Sequence, residues 1–451
     1  MRSFFGIYGK LITRGLAAAI LLSAFCACDL LFPHQKDDIC GICGEEKPCG
    51  CESGPAKVFM MYSIGFNNLS SYLKEDINEL ADSYASIKGN NRVVIFSHST
   101  KSYRNYLTPN PPVVIELKKD GKGGIVRDTI LTMEPNTVSA SKETLHEFLS
   151  FVKERYQEAE YSILFSSHGT GWAPANYCND PDDYENTYSL STGLMRASRT
   201  SRRPSWGEIP EDGGPVVKSF GVQNITSSSY HEMDITDIAE AFPMKMKTVI
   251  FDACFMGGVE VAYQLRDVTE KMVASQTEIL ADGMDYTTML SYILKNDDIE
   301  GFCESFYNFY LNKSRGDEQS ATISLIDCTR LESVAEICRE IFSSQKEQIA
   351  SLEGSSSVQR YFRRTYSDIH KWFYDLEDIV MHTDATDEQK ERLQMALEEC
   401  VLYKAATEKF ILDITLANHC GLSMYLPYRD RAYLNNFYKS LAWNKATGLV
   451  E

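Results

Sequence analysis

Apolar positions follow two rhythms from Lys57 onward. Short continuous runs of strand length occur at Val58–Ile64, Arg92–Phe96, Val113–Leu117, Tyr161–Ser166, Thr248–Ala253, Met272–Gln276 and Ala321–Asp327. Between them, apolar residues recur every three or four positions. Leu69, Tyr72, Leu73, Ile77 and Leu80 share one face of a predicted helix whose N-cap is Asn68. Leu145, Phe148, Leu149, Val152 and Tyr156 do the same behind a Ser141 cap. Further helices are predicted near 256–266, 287–295 and 299–312. Strands alternating with helices predict an α/β fold: a mostly parallel sheet covered on both faces. In such sheets the chemistry sits beyond the carboxyl ends of the strands.

Two stretches break the alternation. Residues 173–230 are polar and rich in Ser, Thr, Gly and Pro, and read as a long insertion loop. After Asp327 the pattern turns helical (about 329–350, 356–381 and 387–403), then returns through a strand at Gly421–Leu426 before a last helix. This helical C-terminal region, 329–451, is expected to pack back onto the main sheet. The main domain is expected to span 56–328.

The N-terminus reads differently. Arg2, Lys10 and Arg14 precede an apolar run, Leu16–Cys26, that is shorter than the roughly 20 residues a spanning helix needs. Small residues and Cys28 follow, as in a bacterial lipoprotein signal over residues 1–28. Lipidation at Cys28 and an exported protein anchored to a bacterial membrane are therefore expected, with a plain signal peptide or uncleaved anchor as the other reading. Residues 29–55 form a Cys-rich linker carrying Cys40, Cys43, Cys49 and Cys51, suited to two local disulfides or to zinc. The net charge of −18 argues against a nucleic-acid partner, because phosphate neutralisation needs excess Lys and Arg.

Two strand ends carry reactive side chains. The run from Tyr161 leads directly into His168-Gly169, and the run from Lys247 leads directly into Cys254. Both runs are apolar enough to be central strands, so both ends emerge at one edge of the sheet. A thiolate is a nucleophile and a neighbouring imidazole can raise its population or take its proton. Gly169 lets its N–H approach a developing oxyanion.

These residues resemble a known family. Phe165-Ser-Ser-His-Gly-Thr-Gly-Trp172 and Phe251-Asp-Ala-Cys-Phe-Met-Gly257 look like the clostripain family of cysteine peptidases. Tyr62–Leu69, Ala274-Ser275-Gln276, Asp375-Leu376 and Gly421–Pro427 extend the likeness over roughly 56–445. The resemblance implies a caspase-like fold shared with gingipains and legumains, and a Cys-His dyad with no obligatory third member. Cys254 would be the nucleophile and His168 the general acid/base. It also implies cleavage after Arg or Lys, with Asp252 in the S1 pocket and Asp282 and Ser275 beside it. Gln276 and Thr277 depart from the acidic residues usual after that serine, which leaves the basic preference less secure than the peptidase chemistry.

Many members are activated by cleavage between the histidine and cysteine strands. Arg196, Arg199, Arg202, Arg203 and Lys218 lie in that window as candidate self-cleavage sites; a solvated loop that balances acidic charge is the other reading. The partners expected are protein or peptide substrates. No cofactor is required; Ca2+ at Asp180-Pro-Asp-Asp183 lacks the spacing of an EF-hand loop. The alternative is a non-catalytic peptide- or glycan-binding surface lipoprotein on the same fold, and amide transfer by the same thiol stays open beside hydrolysis.

Overall fold

The computed structural model of the chain describes residues 56–102, 105–179, 181–192, 217–218, 223–226, 229–362 and 372–451. The expected signal with Cys28, the four linker cysteines, and Arg196, Arg199, Arg202 and Arg203 lie outside them.

Ten strands form one sheet. They are β1 (Lys57–Gly65), β2 (Arg92–Ser102), β3 (Asn105–Pro109), β4 (Val113–Lys119), β5 (Ile125–Thr132), β6 (Glu160–Ser166), β7 (Met246–Asp252), β8 (Thr269–Ala274), β9 (Thr322–Asp327) and β10 (Val401–Ala406). Their spatial order is β10-β9-β8-β7-β6-β1-β2-β4-β5, with β3 paired to β2. The centre, from β8 to β2, is parallel, and the flanks are antiparallel. Parallel strands are buried on both faces, which is why their sequences read as unbroken apolar runs. In β7, Val249 and Phe251 join one core and Ile250 the opposite one, as the two-residue side-chain period requires.

Helix Lys142–Arg155 begins at Ser141, whose side chain accepts from the Thr144 N–H as expected. The helix after β1 differs. It spans Ser70–Tyr84 with Leu69 at its N-cap and no side-chain cap, so Asn68 does not cap it.

The C-terminal region corrects three expectations. Of the predicted 356–381 helix, only Leu376–Met381 is helical among the described residues, and Tyr374–Asp375 before it is a strand. The predicted 387–403 helix ends at Cys400, and the next six residues form β10 on β9. The strand that returns to the main sheet is therefore β10, not Gly421–Leu426. Ser423–Met424 instead pairs with Tyr374–Asp375 in a separate two-stranded sheet. Part of the 173–230 insertion is also ordered: Pro181–Thr192 is helical. Arg431 Nη1 lies 3.1 Å from Asp182 Oδ1, and Glu185 accepts the N–H groups of Tyr433 and Leu434. Asp182 thus holds a helix to the C-terminal region rather than standing in an open acidic loop. Among the described residues no helix is long and apolar enough to cross a membrane, and no cluster of His, Cys, Asp or Glu is suited to a metal.

Candidate active site

The register of β6 against β7 sets the geometry of the site. Asp252 is paired with Ser166 at the ends of the two strands, and Cys254 and His168 each follow two residues beyond that pair, in the loops that leave the strands. Both side chains are buried, Cys254 fully and His168 at 3% exposure.

The chain leaving Cys254 turns sharply. Phe255 adopts a left-handed φ of 60°, its N–H donates to Thr277 O, and the Gly257 N–H donates to Ser275 O at 2.7 Å. Gly257 admits no side chain: a Cβ there would sit 2.3 Å from Gln276 Nε2 and 2.8 Å from the Ser275 carbonyl carbon. The chain leaving His168 packs directly on this turn. A Cβ on Gly171 would lie 2.8 Å from Phe255 O and 2.6 Å from the Phe373 ring, and Phe373 stacks on Phe255 at 4.6 Å. Histidine loop and cysteine loop are thus a single packed unit.

A backbone donor serves the sulfur. The Ile279 N–H points at Cys254 Sγ, 3.2 Å away, and a hydrogen bond to the charged form favours the thiolate. The helix expected just behind the nucleophile starts only at Val259, with Gly258 as its N-cap. The described cysteines other than Cys254 (Cys178, Cys303, Cys328, Cys338, Cys400 and Cys420) are buried free thiols. Desolvation pushes each of them up, Cys400 to about 12. Buried thiols of this kind are inert.

Asp252 is wholly buried. Its Oδ2 accepts from Tyr286 OH at 2.6 Å and from Ser166 Oγ at 3.2 Å. Burial, then the charges of Asp252 and Asp76, push the Tyr286 hydroxyl well up. Tyr310, which donates to Gly283 O at 2.7 Å, is also held well up, by burial and then by the charges of Asp252, Asp282 and Asp76. Asp282 is more exposed, and Lys313 Nζ stands 2.7 Å from its carboxylate. Ser275 is buried among other hydroxyls, its Oγ 2.8 Å from Thr322 Oγ1 and 3.1 Å from Thr277 O. Thr322 Oγ1 in turn accepts the N–H groups of Gln276 and Thr277. Ser275 therefore belongs to the scaffold of the turn that holds Phe255 and Gly257. Gln276 extends that scaffold, donating to Gly421 O at 2.8 Å and pairing with the half-buried His419.

Asp76 escaped the sequence reading. It occupies the apolar stripe of helix Ser70–Tyr84, one turn after Leu73, and is 4% exposed. Leu73 packs with Leu69 and Ala281, so this face meets the loop after β8. A carboxylate inside an apolar stripe was the available signal. Asn68, predicted as a helix cap, instead faces the site: its Oδ1 lies 2.7 Å from His168 Nε2.

The far end of the long insertion reaches the same place. Val217–Lys218 pairs antiparallel with Ile279–Leu280, whose first residue donates to the sulfur.

The C-terminal region braces both loops. Trp172 packs on Tyr425 and Tyr438 with ring centroids 4.6 and 4.9 Å apart. Glu260, behind the nucleophile, accepts from the Tyr425 N–H and Tyr438 OH, each at 2.8 Å.

Comparison with known proteins bears on the family and the fold. The clostripain family model matches residues 61–184 and 212–448. A C11 protease from Parabacteroides distasonis, solved as an inactive zymogen, is similar at 24% identity and TM-score 0.67, over 87% of this chain and 98% of that one. A secreted C11 cysteine protease from Bacteroides thetaiotaomicron is similar at 23% identity and TM-score 0.66, over 87% and 99%. A structure of such a protease from the same organism holds an irreversible peptide inhibitor; it is 20% identical, with TM-score 0.66 over 87% and 99%. No curated protein sequence matches. A family match on both sides of the insertion, on a fold shared with C11 proteases over nearly their whole length, leads to one conclusion: this chain belongs to the clostripain family, whose members are cysteine peptidases.

Proposed function

We propose that the protein is an endopeptidase working through a Cys254–His168 dyad on peptides with Arg or Lys at P1. The observation that carries the dyad is the β6/β7 register, whose last pair, Asp252 with Ser166, lies two residues before Cys254 on one strand and two before His168 on the other. Cys254 Sγ attacks the scissile carbonyl carbon as the thiolate, forming the S–C bond. The oxyanion is received by backbone N–H groups, with Gly169 the candidate donor. His168 gives its proton to the leaving amine as the C–N bond breaks. It then takes a proton from water, which hydrolyses the thioester and restores the thiol.

The basic preference is supported by the carboxylates of Asp252, Asp76 and Asp282, all of which act on buried Tyr310. Asp252, buried on the nucleophile's own strand, would meet the P1 cation directly, while Asp282 shares its charge with Lys313.

Self-processing within 196–218 belongs to the same proposal. The insertion is held at one end by Asp182 and Glu185 on the C-terminal region, and at the other by Val217–Lys218 on Ile279–Leu280. In the intact chain this pairing fills the strand edge beside the sulfur, where an extended substrate would add. Cleavage after Arg196, Arg199, Arg202, Arg203 or Lys218 would free that edge. Export with lipidation at Cys28 is proposed from the N-terminal sequence alone; incorporation of a labelled fatty acid, lost in Cys28→Ala, tests it.

The decisive experiment pairs fluorogenic peptides bearing Arg, Lys, Asp or Leu at P1 with the wild type, Cys254→Ala and His168→Ala. Turnover of the Arg and Lys peptides that both variants lose is expected. Silence towards every peptide, even after limited proteolysis of the insertion, would overturn the catalytic reading in favour of a binding protein.

A further inference from the structure

Asn67 and Asn68 are adjacent, but their side chains do different work. Asn67 ties the turn that leaves β1: its Nδ2 donates to Ile64 O and its Oδ1 accepts from the Leu69 N–H, both at 2.9 Å. The same Ile64 carbonyl accepts from Ser167 Oγ at 3.0 Å, so the turn is fastened to the residue before His168. Gly65 lets this turn approach closely, since a Cβ there would stand 3.2 Å from His98 O. Asn68 is therefore presented to His168 from a fixed backbone. Its Oδ1 meets Nε2 at 2.7 Å.

We propose that Asn68 is the positioning residue of the dyad, fixing both the ring orientation and the tautomer of His168. An amide oxygen accepts and never donates, so the ring gives its Nε2–H to Asn68. Proton exchange with the thiol, the leaving amine and water then falls to Nδ1. When His168 takes a proton, the Nε2–H bond to Asn68 persists and strengthens, because its donor has become charged. The ring has no reason to rotate between its two duties. A neutral amide does this without adding a negative charge, so it does not lock the histidine in its protonated form as a carboxylate would. The inference rests on the acid/base reading of His168.

The test uses the full chain as wild type, Asn68→Ala, Asn68→Asp, Asn67→Ala and His168→Ala, with Cys254→Ala as blank. Alkylation of Cys254 by iodoacetamide is followed against pH, which needs no knowledge of the substrate. Turnover of an Arg peptide is measured alongside. Asn68→Ala is expected to fold, to keep KM within about twofold and to lose roughly ten- to a hundredfold in kcat. Asn68→Asp is expected to move the histidine limb of both profiles upward by about one pH unit. Asn67→Ala is expected to lower the melting temperature. If Asn68→Ala is unstable, the isosteric Asp variant decides by its pH profile.

Variants at Asn68 that superimpose on wild type, while His168→Ala abolishes turnover, overturn the Asn68 assignment alone. An unaltered His168→Ala overturns the acid/base reading beneath it.

Discussion

Replacing Glu260 by Gln tests the brace behind the nucleophile. Glu260 is fully buried, and among the described residues no donor reaches its Oε2. Burial pushes its carboxyl from an ordinary 4.5 up to about 7, against the hydrogen bonds from Tyr425 and Tyr438 that lower it. Because the folded value lies above the unfolded one, the folded chain holds the proton more tightly. Below the unfolded value both states are protonated and stability is complete. Between 4.5 and 7 the unfolded chain has lost its proton and the folded chain has not, so stability falls as pH rises. Above the folded value the loss is complete, at roughly 3 kcal/mol.

Glu260→Gln keeps the Oε1 acceptor and never ionises. Its stability relative to wild type should therefore climb with pH. Urea unfolding of both proteins from about pH 6 to 8.5, followed by tryptophan fluorescence, measures this. The range stays clear of the acid region where a chain of net charge −18 approaches neutrality. Because it misses the lower part of the transition, a rise of roughly 1–2 kcal/mol in the variant's relative stability is expected across it. A difference that stays flat with pH would refute the argument and show that the carboxylate is solvated or otherwise paired. A variant less stable at every pH, by a constant amount, would instead report only a lost acceptor.

Other perturbations follow from the same geometry. Asp252→Asn removes the buried carboxylate without changing its shape, and kcat/KM for Arg and Lys peptides should fall roughly a hundredfold while that for neutral peptides does not. Gly257→Ala drives a Cβ into Gln276 and the Ser275 backbone; a loss of about 1–3 kcal/mol in urea unfolding is expected, together with slower alkylation of Cys254. Trp172→Ala opens a cavity against Tyr425 and Tyr438, which should cost about 3–5 kcal/mol in the same assay. Alanine at Arg196, Arg199, Arg202, Arg203 and Lys218 together should leave a single chain on a denaturing gel, with peptide turnover restored by an added glutamate-specific protease cutting after Glu208 or Glu211.

The sequence by itself determined the central strands and the two reactive ends. Buried parallel strands must be continuously apolar, so β1, β6 and β7 are legible from the apolar pattern alone, and His168 and Cys254 stand out as polar termini on two such runs. Local chemistry also determined the Ser141 cap, because a cap bonds only within its own turn. Tertiary structure decided what depends on partners distant in the chain. Asn68 has the side chain of a good helix cap, yet its oxygen goes to a histidine 100 positions away. The residues from Val401 continue a helical pattern, but pairing with β9 draws them into the sheet. Asp76 reads as one polar break in an apolar stripe until the loop after β8 closes over it. Pattern reports which face is buried; only the assembled sheet, its register and its crossing loops decide what that face meets.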